Sequence, residues 1–164
     1  MVKLPYSAVY IINQVKLRRL ILGISARSLA KELGLVPQYI SKIESMKQVY
    51  QYPLEMLAKI AKILGCEVRD FYPPDELLLK NDGSNVLKEI ISLADIEVAS
   101  KVIEGMTGIG YFDGSRLDEE TTSSGVAKYL DVLGKKEAPV VQQALNNFVA
   151  NGKLTLTNGS YIQP

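Results

Sequence analysis

Ile40 and Ile43 stand three residues apart, a spacing that turns both inward on a helix and leaves Gln38, Tyr39, Ser41 and Lys42 outside. A side-chain amide and an ammonium on one exposed helical face suit the edges of nucleic-acid bases. Gln38 can pair bidentately with adenine, and Lys42 can donate to guanine or to a phosphate. Just before them, Val36 and Pro37 offer apolar surface to a thymine methyl group. Tyr39 carries a hydroxyl that can reach a phosphate and a ring that can cover the helix. Arg27, Ser41 and Lys47 are candidates for phosphate itself, which takes most of the hydrogen bonds in such interfaces. For each residue the plain alternative is a solvated surface position. Glu44 fits better as a cap or an ion-pair partner within the fold.

These side chains need short helices held by tight turns, and the run LRRLILGISARSLAKELGLVPQYISKIE, residues 17–44, has that form. Leu17, Leu20, Ile21 and Ile24 recur at helical spacing, then Leu29, Ala30 and Leu33, then Ile40 and Ile43. Gly23 and Gly34 end the first two segments, and Ser25 stands at an N-cap position. Two helices of about eight residues joined by a turn of three or four form the unit that sets one helix in a DNA major groove.

Composition removes alternatives. The 164 residues include no His and one Cys, Cys66, which excludes a disulfide within the chain, a His-dependent metal site and a His-containing catalytic triad. No cofactor is expected. No apolar run approaches the ~20 residues that cross a bilayer, and the opening MVKLPYSAVY lacks a signal-peptide pattern. A soluble, cytoplasmic protein without membrane association is the expectation. The near-neutral total hides a division: residues 1–72 hold eleven Lys and Arg against five Asp and Glu, residues 73–164 eight against thirteen. A basic front half suits phosphate contact, because neutralising phosphates releases counterions.

On these motifs, residues 9–72 resemble the Cro and phage-repressor type of helix-turn-helix, the XRE family. The resemblance runs through VKLRRLILG, SARSLAKELG, PQYISKIE and a fourth helix, YPLEMLAKIAKILGC, to a closing EVRDFYP. Leu54, Leu57, Ile60, Ala61 and Leu64 are core positions of that fourth helix by their own spacing. The resemblance implies double-stranded DNA as partner, and a homodimer is expected because one module offers few base contacts and operator symmetry normally mirrors protein symmetry. The chain departs from the family pattern in places. Ala26 stands where a Gln usually meets a phosphate, a contact that Ser25 and Arg27 could replace. Val36-Pro37 replaces a Ser or Thr cap, Met46 replaces a Gly, and the loop before the fourth helix is slightly longer.

Tyr72-Pro73-Pro74-Asp75 marks a break, so the expected domains are 1–74, the repressor-like five-helix unit, and 75–164. Leu77–Leu79 and Asn81-Asp82-Gly83-Ser84 read as a short ordered connection. A helix is expected over about 85–106, with Ile96, Ala99, Ile103 and Met106 on one stripe and Val98 and Val102 on another, buried in a core or a dimer. The glycines between Gly105 and Gly114 lack the Lys-Ser/Thr ending and the preceding strand of a nucleotide loop.

Farther on, Ser123 or Ser124 can cap a helix carrying Val126, Leu130 and Leu133, with a turn through Gly134 and Lys135. A second helix begins near Pro139 and turns Val141, Leu145, Phe148 and Val149 inward. KLTLTNGSYIQP reads as a hairpin with Leu154 and Leu156 alternating against Thr and Asn158-Gly159 at the turn. This order resembles a winged helix-turn-helix. The expected fold is therefore mainly α, with a winged-helix-like C-terminal domain for dimerisation or regulation. Gln142, Gln143, Asn146 and Asn147 face outward near Lys135, Lys136 and Lys153, yet Asp118, Glu119 and Glu120 precede the module. Winged helices also serve as protein-binding platforms.

Three functional readings follow. One is a transcription regulator that binds a palindromic operator as a homodimer. Another is an antitoxin or adaptor whose C-terminal domain binds a protein partner and whose DNA binding is autoregulatory. An enzyme comes third, since the cleavage linker and β-rich half of a self-cleaving Ser–Lys repressor are missing.

Overall fold

The longest helix starts where Pro5 closes a short strand. In the computed structural model, which describes every residue except Leu133 and Lys135, β1 spans Lys3–Pro5 and α1 spans Tyr6–Ile21. Ala8, Val9, Ile12 and Val15 of α1 are buried at a helical interval, and Ile12 and Val15 are wholly so. The sequence reading placed the stripe further along, and Ile24 lies beyond α1, after the Gly23 turn.

Helices α2 (Ala26–Glu32), α3 (Tyr39–Ile43) and α4 (Leu54–Leu64) follow, then a 3-10 turn at Val68–Phe71 and α5 (Asp75–Lys80). Ser25 caps α2 through a bond from the Ser28 N–H to its hydroxyl. Gly34 turns the chain at φ +70°, a conformation cheap only without a Cβ. Leu29, Ala30, Ile40, Ile43, Leu57, Ile60, Ala61, Leu64 and Phe71 close the core with α1. Leu54 does not join it: as the first residue of α4 it remains 62 % exposed.

Two compact units divide the chain: Met1–Arg19 with Ile24–Ile91, and Leu20–Gly23 with Ser92–Pro164. The first runs past the Pro73-Pro74 break. The reason is β2 (Asn85–Leu87), which pairs antiparallel with β1 in the register Lys3↔Leu87, Leu4↔Val86, Pro5↔Asn85. Beyond β2, the Asn13 amide donates to the Glu89 carbonyl and accepts from the Ile91 N–H. The expected helix over 85–106 is thus a strand, a connection and a later helix, α6 (Ile96–Gly108). Its cap is Asp95, whose carboxylate accepts from the Glu97 N–H.

In the second unit α6 packs on α8 (Glu137–Ala150), and Ala99, Val102, Ile103 and Met106 are entirely buried there. Much of the apolar surface expected of this helix is therefore taken up within one chain, while Ile96 and Val98 are half-buried. A second 3-10 turn, Asp118–Thr121, leads into α7 (Ser123–Tyr129), capped by Thr122 rather than by Ser123 or Ser124. Strands β3 (Thr155–Thr157) and β4 (Ser160–Ile162) form the hairpin, with positive φ at Asn158 and Gly159 as its two-residue turn requires. Leu154 is buried, whereas Leu156 is 49 % exposed, so the expected alternation buries only the first of the two. Leu133 and Lys135, expected in the helix and turn between α7 and α8, lie outside the described residues.

Candidate nucleic-acid interface

Ile40 and Ile43 are buried as their spacing implies, and the opposite face of α3 is open. Gln38, Ser41 and Lys42 are exposed, as are Val36, Pro37, Arg27 and Lys47. Regular helix covers only Tyr39–Ile43, and Gln38 is its N-cap residue with no side-chain capping bond, so its amide is not spent on the helix end. The Ser41 hydroxyl donates to the Gln38 carbonyl. Tyr39 is half-buried and packs against the core. Ser25 is less open than expected: its hydroxyl caps α2 and donates to the Ser28 hydroxyl, because that position is where the helix end needs an acceptor.

An ion pair fixes α3 from behind. The Arg19 Nε donates to Glu44 Oε2 at 2.8 Å, Nη2 donates to Oε1, and Nη1 reaches the Ile24 carbonyl at 3.2 Å. Both side chains are more than nine-tenths buried. Arg19 thereby joins the end of α1, the turn before α2 and the end of α3, and Glu44 pairs within the fold as expected. Tyr52 lies close by. Its burial pushes the phenol well above the ordinary tyrosine range, with the Glu44 carboxylate adding to the effect and Arg19 opposing it.

The loop from α3 to α4 holds a residue pair that spacing did not reveal. Lys88, just past β2, is buried to 3 % exposure, and its Nζ donates to the carbonyls of Gln48 (2.6 Å) and Tyr50 (3.0 Å). Burial draws its ammonium below the ordinary lysine range. No sequence signal marks this contact, since its acceptors are main-chain oxygens some 40 residues away.

The second unit presents Gln142, Gln143 and Asn147 to solvent along α8. Asn146 is exposed as well, and its Oδ1 also accepts a 2.7 Å bond from the Tyr161 hydroxyl of β4. That amide anchors the hairpin. Across the described residues, no helix is long and apolar enough to cross a membrane.

Two short helices at a glycine turn, with a polar face on the second, define a helix-turn-helix DNA-binding module. Residues 15–71 match the family model described as Helix-turn-helix. This part of the chain is an XRE-type helix-turn-helix, the DNA-binding module of regulators of that type. No curated protein and no solved structure matches the chain significantly.

Proposed function

We propose that the protein is a cytoplasmic transcription regulator, without enzymatic activity of its own, that binds a palindromic operator as a homodimer and reads it with α3. The observation that carries this reading is the exposed face of Gln38, Ser41 and Lys42 on a helix whose buried face is held by Arg19–Glu44. Gln38 and Lys42 are the base readers; Arg27, Ser41 and Lys47 contact phosphate; Val36 and Pro37 meet a thymine methyl. Ser25 and Tyr39 sit at the edge of the contact. Five helical residues give few base contacts, so two copies on half-sites about one DNA turn apart supply the affinity. The first unit, through Ile91, is the reader. The second unit serves dimerisation or regulation, a role its acidic balance and the engaged Asn146 favour over a second base-reading surface.

Selection of bound fragments from random duplex DNA, with light scattering of the full chain, tests this. A symmetric motif and a dimer are expected. Gln38→Ala costs about 1–3 kcal/mol at the selected site and relaxes one base pair per half-site. An unchanged motif for Gln38→Ala, or a monomer both free and on DNA at tens of micromolar, overturns the corresponding part.

A further inference from the structure

We infer that Lys88, which lies outside the helix-turn-helix segment, is a positioning residue for DNA contact: it holds the loop between α3 and α4 so that Lys47 meets a phosphate. The inference rests on the proposed phosphate role of Lys47.

The loop cannot hold itself. Its internal bonds are long, with the Gln48 N–H at 3.4 Å from the Ser45 carbonyl and the Lys47 N–H at 3.3 Å from the Ser45 hydroxyl. Met46, Lys47, Val49 and Tyr50 are all exposed. Its attachments are the buried Tyr52 ring and the ammonium of Lys88, which takes two carbonyls of alternate residues, Gln48 and Tyr50. Alternate carbonyls on one donor fix the path of the intervening backbone. Lys88 is itself fixed, since its N–H bonds to the Val2 carbonyl at 2.9 Å, extending the β1–β2 pairing.

The chemistry is also telling. A buried ammonium loses its hydration, a cost that apolar packing avoids. Among the described residues no carboxylate forms a salt bridge with Lys88, so the two loop carbonyls are what compensate it. Lys47 and Lys88 line the same cavity of about 400 Å³, together with Val2, Met46 and Leu87. One lysine is buried under the loop while the other is exposed upon it.

The test uses the full chain and a fluorescein-labelled duplex of the selected site, titrated by anisotropy from low to high salt. Lys47→Ala should reduce the slope of log affinity against log salt by about one, worth about fivefold in affinity at 0.15 M salt. Lys88→Met should lose a similar slope, and Lys47→Ala on top of it should change little, because the contact is already gone. Lys88→Arg, which keeps the cation and its donors, should recover most of the slope. Hydrogen exchange should show amides 46–51 losing protection in Lys88→Met while those of α1 and α4 keep theirs. A parental slope in Lys88→Met, or effects of the two substitutions that add in full, overturns the inference. A parental slope in Lys47→Ala overturns the phosphate role beneath it as well. If Lys88→Met does not fold, Lys88→Arg decides: its amides 46–51 must keep parental protection and its slope must stay near the parental one, and loss of either overturns the inference.

Discussion

Removing the charge of Glu44 should strongly destabilise the first unit, whereas removing both charges of its pair should not. Glu44→Gln keeps the shape of the side chain but leaves the Arg19 guanidinium more than nine-tenths buried without a counter-charge. Breaking one partner of a buried pair costs about 3–5 kcal/mol, because the remaining ion has neither water nor partner. A domain of this size melts about 4–8 °C lower for each kcal/mol, so the first unit should lose at least about 12 °C. Arg19→Met with Glu44→Leu replaces the pair by apolar groups of similar volume, an exchange that is often neutral or stabilising in other buried pairs. The Arg19 bond to the Ile24 carbonyl is lost with it, so recovery should be large rather than complete. Circular-dichroism melts of the two variants, each with urea titration at 25 °C, measure both effects. A Glu44→Gln melt within about 2 °C of the parent, or a double variant as unstable as the single one, would refute the reasoning.

Gly125→Ala tests the second unit with the opposite sign from helix propensity. Ala normally stabilises a helix interior over Gly by about 1 kcal/mol, yet here a Cβ would lie 2.2 Å from the Glu119 carbonyl oxygen and 2.5 Å from that of Glu120. Destabilisation of about 1–3 kcal/mol in urea is expected, and any gain in stability sinks the packing argument. Tyr52, Tyr111 and Tyr129 should ionise above the ordinary tyrosine range, Tyr111 near a pKa of about 12, because burial disfavours their phenolates. The sign follows from proton counting. Between the unfolded value of 10.0 and the raised folded values the native chain keeps protons that the unfolded chain has lost, so stability falls as pH rises through that window. Absorbance at 295 nm with single Tyr→Phe variants follows each group, and a Tyr111 titrating at the unfolded value of 10.0 contradicts its burial.

The helix-turn-helix was legible in residues 17–64 because its signals are local. Spacing of Ile40 and Ile43, the Ser25 cap and the Gly34 turn all act within one or two helical turns of themselves, so residue types alone specify them. The hairpin turn at Asn158-Gly159 was readable for the same reason. Strand β2 was not, since three residues carry no distinctive period and become a strand only by meeting β1 from the start of the chain. That pairing moved the end of the first unit from the proline break to Ile91. The apolar face of α6 was visible, but whether it met another copy or its own chain depended on α8 lying against it. A lysine in sequence reads as a solvated charge. Only the tertiary structure could bury Lys88 under the loop after α3, because what balances its ammonium is two backbone carbonyls, and every residue has one of those.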